Sequence, residues 1–240
     1  MSPGLVQGLA FVLCLGLTPL VPGATISFTF NGVTSGAMVG ESVDSGATFT
    51  DYNSGQMSIT VTGTSGFAGP VPTNFLSFCI EPLQGISAGS TVYTFDIDEV
   101  QNAPATGVLG NIKADLLREL FGRYYSSFQQ TLSVTTAAAL QIAVWEINQE
   151  AYVSGTPFSV STGVIRYQSA ANPDIIVQAN NMLASLDGTG PLLTQLYALR
   201  NASSQDLAFH AEVGVPEPGT LGMLATGLLL LGGRYVRRRV

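Results

Sequence analysis

The sequence predicts an α+β domain, an antiparallel β-sandwich or barrel-like set of sheets carrying about three inserted helices. Three observations point there. Short runs that alternate apolar and polar residues are separated by Gly, Asn and Ser clusters, the pattern of strands with one buried face. Later segments place apolar residues at helical spacing instead. Of 240 residues, 27 are Gly and 12 Pro, with 46% hydrophobic and 10% charged, which suits a turn-rich domain long enough to bury a core.

The strands expected from alternation are Thr25 to Asn31, Gly46 to Tyr52, Gln56 to Thr64, Asn74 to Ile80 and Thr91 to Val100. A helix is expected from Asn111, as N-cap, to Tyr124, with Ile112, Leu116, Leu117, Leu120, Phe121 and Tyr124 on one face. A second should start from Ser133 or Thr135 and end near Glu150. Its apolar face is defined by Ala137, Gln141, Val144, Trp145 and Asn148. Asn172-Pro173-Asp174 reads as an N-cap followed by Pro at the first helical position, opening a third helix that runs to Gly188. Leu196 to Arg200 and Asp206 to Val213 complete the sheet.

Both ends read as export signals. Residues 1–24 combine the apolar run Leu9 to Leu17 with Pro and small residues ending at Val21-Pro-Gly-Ala24, a signal peptide for signal peptidase to cut near Gly23 or Ala24. Residues 25–214 form the extracellular domain and 215–240 a tripartite tail. The tail holds Val215-Pro-Glu-Pro-Gly219, an apolar run from Thr220 to Gly233, and Arg234-Tyr-Val-Arg-Arg-Arg239. As a helix the apolar run would span about 21 Å against a ~30 Å hydrocarbon core, a short transmembrane helix whose arginines hold its end in the cytoplasm. This tail resembles the PEP-CTERM sorting signal of Gram-negative bacteria, with Pro216, Glu217 and Pro218 as the namesake motif. The resemblance implies transient membrane anchoring, removal of the anchor by an exosortase, and release to the cell surface or extracellular matrix.

Net charge is −7, and four of the nine basic residues fall in the last seven positions. From Thr25 to Val215 five basic residues stand against fifteen acidic, a balance of −10. An acidic domain without a basic stripe excludes a nucleic-acid partner. His210 is the sole histidine, and the strand residue it is expected to be leaves no Ser/His/Asp triad. Asp96, Asp98 and Glu99 read as a solvated strand face and not a calcium loop, because no oxygen-rich Gly-containing pattern surrounds them. No metal and no cofactor is expected. Asn201-Ala-Ser203 fits a glycosylation acceptor but carries little weight in a bacterium.

Two residues remain. Cys14 leaves with the signal peptide, so Cys79 has no intramolecular disulfide partner in an oxidising compartment. Gln141 sits on a helical face among large apolar neighbours, and a buried amide needs a partner. That partner is either a hydrogen bond or a covalent bond to sulfur.

Phe78-Cys79-Ile80-Glu81-Pro82, followed downstream by Gln141-Ile-Ala143-Val-Trp145, resembles the Cys-Gln thioester domains of bacterial surface proteins. Those carry a Thr-Gln-x-Ala motif, usually extended to Trp, and a Cys on an aromatic-flanked strand. Here Leu140 stands at the position of the Thr. The resemblance covers roughly Phe67 to Val213 and implies a thioester between Cys79 and Gln141, shielded by Phe78 and Trp145. It implies a partner too: an amine on a surface protein or matrix polymer, coupled once and without turnover, so the protein is not a conventional enzyme. The alternative is a non-covalent structural or carbohydrate-binding matrix protein, with Cys79 merely buried. A hydrolase using Cys79 is disfavoured, since the one histidine would have to serve it.

Overall fold

A computed structural model of the chain describes residues 23–211 except Ala68 and Ala105. Residues 1–22 of the expected signal peptide, the 215–240 tail with Pro216, Glu217 and Pro218, and the end of the last expected strand lie outside the described residues. Among the described residues no helix is long and apolar enough to cross a membrane.

Among the described residues seven strands form one antiparallel sheet: β1 (Thr25–Ser42), β2 (Thr50–Ser65), β3 (Asn74–Ser77), β4 (Val92–Glu99), β5 (Arg166–Gln168), β6 (Leu196–Arg200) and β7 (Leu207–His210). The order is β3-β2-β1-β4-β6-β7, with β5 pairing the far end of β1. Three helices are inserted, α1 (Gly110–Tyr124), α2 (Val134–Gln149) and α3 (Asp174–Ala184). The expected α+β, barrel-like architecture is therefore what the chain adopts. Ile26, Phe28 and Phe30 of β1 alternate inward, and Phe28 meets Phe95 of β4 with ring centroids 5.0 Å apart.

The sheet nearly closes on itself. The chain leaving β3 continues through Phe78-Cys79-Ile80 and bridges β7 at Cys79 opposite Leu207. Ala208 N–H donates to Phe78 C=O and Ile80 N–H to Asp206 C=O, each at 2.8 Å. These bonds flank the Cys79 position. In such a pair the backbone N–H and C=O of the bridged residue point away from the partner strand. Cys79 therefore presents both groups to whatever lies on the other side of the seam.

What lies there is α2. Ser133 caps it, its Oγ accepting from Thr136 N–H at 3.2 Å. The sequence reading of one apolar face is corrected: every residue from Ala137 to Ile147 is buried. The small side chains of Ala137, Ala138, Ala139 and Ala143 let β1 and β2 approach one side while α1 and α3 cover others.

Other boundaries shift for local reasons. β1 runs on to Ser42 through register shifts at Phe30/Gly32 and Thr34/Ala37, where Gly and Ser make irregularities in place of a turn. The two strands expected over 46–64 are one strand, β2, because Asn53 and Ser54 pair with β1 and Gly55 is absorbed at a register irregularity. A Cβ at Gly55 would meet Gly36 Cα at 2.6 Å, so the two strands touch there through bare backbone. Leu109, not Asn111, precedes α1, and Ile112 faces solvent at 57% exposure. α3 begins after Pro173 and stops at Ala184; Asn172 turns its Nδ2 to Thr135 Oγ1 at 2.9 Å.

The residues between α3 and β6 wrap a buried carboxylate on α1. Glu119 accepts from Arg123 Nη2 at 2.7 Å and from the N–H groups of Gly188 and Gly190, both at 2.9 Å. Beside it, a Cβ on Gly122 would lie 2.0 Å from the Pro191 carbonyl oxygen. Gly122→Ala is therefore expected to cost about 1–3 kcal/mol, because helix and loop must part. A thermal melt equal to wild type would show that the loop yields freely.

Candidate functional site

The seam and the central helix bring Cys79 and Gln141 together. Cys79 N–H donates to Gln141 Oε1 at 2.9 Å, and Gln141 Nε2 donates to Cys79 C=O at 2.7 Å. The carboxamide thus acts as one more strand residue, satisfying both backbone groups that β7 leaves unpaired. Two turns further along the same face, Asn148 Nδ2 donates to Ile80 C=O at 3.1 Å. Successive carbonyls of the seam are therefore held by two amides of one helix.

The Cys79 thiol is buried and donates to the carbonyl of Glu81, the same oxygen that accepts from Gln205 Nε2 at 2.9 Å. Burial pushes the thiol well above its ordinary pKa; the nearby Trp145 indole N–H and the Glu81 contact work against that shift without overcoming it. At neutral pH the sulfur is therefore S–H. Among the described residues Trp145 Nε1 makes no hydrogen bond of normal geometry, so its pull on the sulfur is a weak one. Its ring is packed between Tyr52, edge-on at 5.9 Å, and Tyr167, stacked at 6.5 Å.

Cys79, Gln141 and Trp145 share the wall of a cavity of about 90 Å³ with Asn53, Gly55 and Gln205. The cavity holds a few small-molecule atoms, not a folded chain. Phe78, on the same seam, points elsewhere. It packs against Phe121 at 5.8 Å and Tyr125 at 5.2 Å and does not line the cavity. The Glu81 carbonyl belongs to the Phe78–Pro82 run already singled out, while Asn53 and Gln205 are parts of this site that sequence reasoning missed. Nothing in their spacing marks them, since each arrives on a different loop or strand.

Other sequence candidates are placed elsewhere. Asp98 accepts from Asn102 Nδ2 at 2.8 Å and pairs with Arg200, while Glu99 lies 3.7 Å from Arg118. Their charges are met by neighbouring side chains. Among the described residues no three His, Cys, Asp or Glu side chains converge to hold a metal. His210 packs against Phe128 with the rings tilted and their centroids 5.8 Å apart.

Residues 214–239 match the PEP-CTERM protein-sorting motif. That motif marks the chain for export and anchoring at the cell surface. In fold the chain is similar to the N-terminal thioester domain of a surface protein from Clostridium perfringens. The similarity covers 72% of this chain and 97% of that one, at 10% sequence identity and a TM-score of 0.39. No curated protein matches the chain.

Proposed function

We propose that this chain is a surface protein, matured by signal peptidase and an exosortase, whose Cys79 and Gln141 condense to an internal thioester that then couples to an amine. One observation carries the reading. The Gln141 carboxamide is pinned at both ends by the backbone of the residue whose sulfur would attack it, beside a small cavity. Cys79 N–H already sits on Oε1, where negative charge gathers when the carbonyl carbon becomes tetrahedral. Attack by Sγ forms the C–S bond and breaks C–Nε2; the thiol proton leaves with the nitrogen as ammonia. An incoming amine on a surface protein or matrix polymer later forms the amide bond and returns Cys79 as a thiol. Each molecule reacts once, so the protein is not a turnover enzyme. Trp145 shields the bond from water in this scheme.

A second reading rests on the same two hydrogen bonds, which are all that a structural glutamine needs. Cys79 is then a buried hydrophobe, and the protein acts without covalent chemistry as a structural or carbohydrate-binding matrix component. Intact mass of the exported protein separates the two. The thioester form is short by one ammonia, gains one methylamine on treatment, and loses both signatures in Gln141→Ala. Full calculated mass with a freely alkylated Cys79 in freshly isolated protein would overturn the covalent reading.

A further inference from the structure

At the other end of α2 a recess of about 150 Å³ opens beneath the 151–163 loop, lined by Glu146, Glu150, Val153, Pro157, Phe158 and Thr162 among others. Glu146 is fully buried at 0% exposure. Its Oε1 accepts from Ser159 N–H at 3.3 Å, and its Oε2 has no partner. A buried carboxyl oxygen left unpaired is costly, and it is uncommon in a settled core. Glu150, by contrast, is spent. Its Oε1 accepts from Ala151 N–H at 3.2 Å and its Oε2 from Val164 and Ile165 N–H at 2.8 and 2.9 Å.

The field at this spot favours a cation. The last turn of α2 carries no basic residue of its own, and the one ammonium that reaches it, Lys113, is engaged at the Asn148 carbonyl. The charged and titratable groups around Glu146 are Glu150 at the C-cap of α2, Glu41 on β1, Tyr167 on β5 and Lys113 on α1. Glu41 and Tyr167 bond to each other at 3.1 Å, and Lys113 Nζ donates to Asn148 C=O at 2.8 Å. Among the described residues, the charged groups that act on Glu146 are thus two carboxyls, Glu150 and Glu41, and one ammonium, Lys113. The walls of Val153, Pro157 and Phe158 are carbon, which suits an organic cation better than a metal ion. Oε2 lies sealed under the loop, whose hold on Glu146 is the single 3.3 Å bond from Ser159. An amine reaches Oε2 only if the 156–159 segment moves, which releases Ser159 N–H from Glu146 and strains the Ser159 Oγ contact with Asn180 Oδ1 at 3.1 Å.

We propose that this recess binds a small free protonated amine, which donates an N–H to Glu146 Oε2 and rests its carbon atoms on Pro157 and Phe158. The site is separate from Cys79 and Gln141 and does not depend on a thioester. Burial pushes the empty Glu146 carboxyl up to about 8, with Glu150 and Glu41 adding to the shift while the Ser159 N–H and Lys113 oppose it. Binding at neutral pH therefore ionises Glu146, and its proton passes to the buffer.

Calorimetric titration of the exported mature protein with trimethylammonium chloride tests this, because a tertiary amine cannot be acylated by a thioester. One site is expected, with one proton released at pH 7 and an affinity that rises about tenfold per pH unit below pH 8. Tetramethylammonium has the same charge without an N–H and should bind at least about tenfold more weakly, as should trimethylammonium to Glu146→Gln. The wild-type comparison of the two cations needs no variant, and circular dichroism checks that Glu146→Gln is folded. Absence of binding, equal affinity for both cations, an unchanged affinity in folded Glu146→Gln, or displacement by calcium would each overturn the assignment.

Discussion

Gln141→Ala is expected to destabilise the domain by about 3–5 kcal/mol, against about 1–2 kcal/mol for Cys79→Ala. The larger figure has two sources. Removing the carboxamide strands the Cys79 N–H and C=O in the core, since β7 bonds only Phe78 and Ile80 on either side. It also leaves a void in a helix covered on all sides. Cys79→Ala removes a sulfur and its contact with the Glu81 carbonyl, and leaves the backbone pairing with Gln141 intact. Either substitution abolishes any covalent bond between the two side chains. The difference between the variants in urea unfolding midpoint therefore isolates the hydrogen bonds from the thioester. Equal destabilisation would mean that the seam finds other partners when the amide is gone, and that the only shared loss is the cross-link.

That asymmetry shows what the sequence could and could not convey. The pairing of Cys79 with Gln141 was legible, because a sole mature cysteine and a polar residue inside an apolar helical run are both anomalies that ask for a partner. Its form was not legible. The amide is claimed by the backbone of Cys79, and that demand exists only because the 78–80 segment closes the sheet against β7. Phe78 illustrates the same limit: adjacency to Cys79 put it beside the sulfur, but alternation along the seam sends it under α1, against Phe121 and Tyr125. In β1 and β2, Gly36 and Gly55 look like turn punctuation, whereas they serve as a contact between two continuous strands. β5 is too short to carry a periodic signal at all. Glu146 had a signal that went unused. A charged residue between Trp145 and Ile147 in an apolar helix marks either an exposed stripe or a buried carboxyl, and the burial of its neighbours decides for the second.

Glu146 should also make the stability of the domain fall as pH rises. Burial is the main cause of its raised pKa, about 8 in the folded chain against 4.5 as the ordinary value. Between those values the native state holds a proton that the unfolded chain has lost, so unfolding stability declines by up to about 1.4 kcal/mol per pH unit. The contribution is fully present below pH 4.5, is lost as pH climbs to about 8, and is flat beyond; its total is roughly 5 kcal/mol as an upper figure. Glu41, also raised by burial, adds a slope of the same sign, while Asp98 and Glu119, held below their ordinary values despite partial burial by hydrogen bonds and arginine partners, slope the other way. To the extent that these groups titrate alike in wild type and Glu146→Gln, they cancel in the difference. The variant replaces a titrating carboxyl with an amide whose donors have no acceptor at Oε2, so near pH 5 it should be no more stable than wild type. At pH 8.5 it should be the more stable of the two by several kcal/mol, and the two stability curves should cross between. Urea midpoints of both proteins at the two pH values read this directly. Parallel curves would place the Glu146 carboxyl in water, with an ordinary pKa, and would remove the reason for its neighbours to leave Oε2 unpaired.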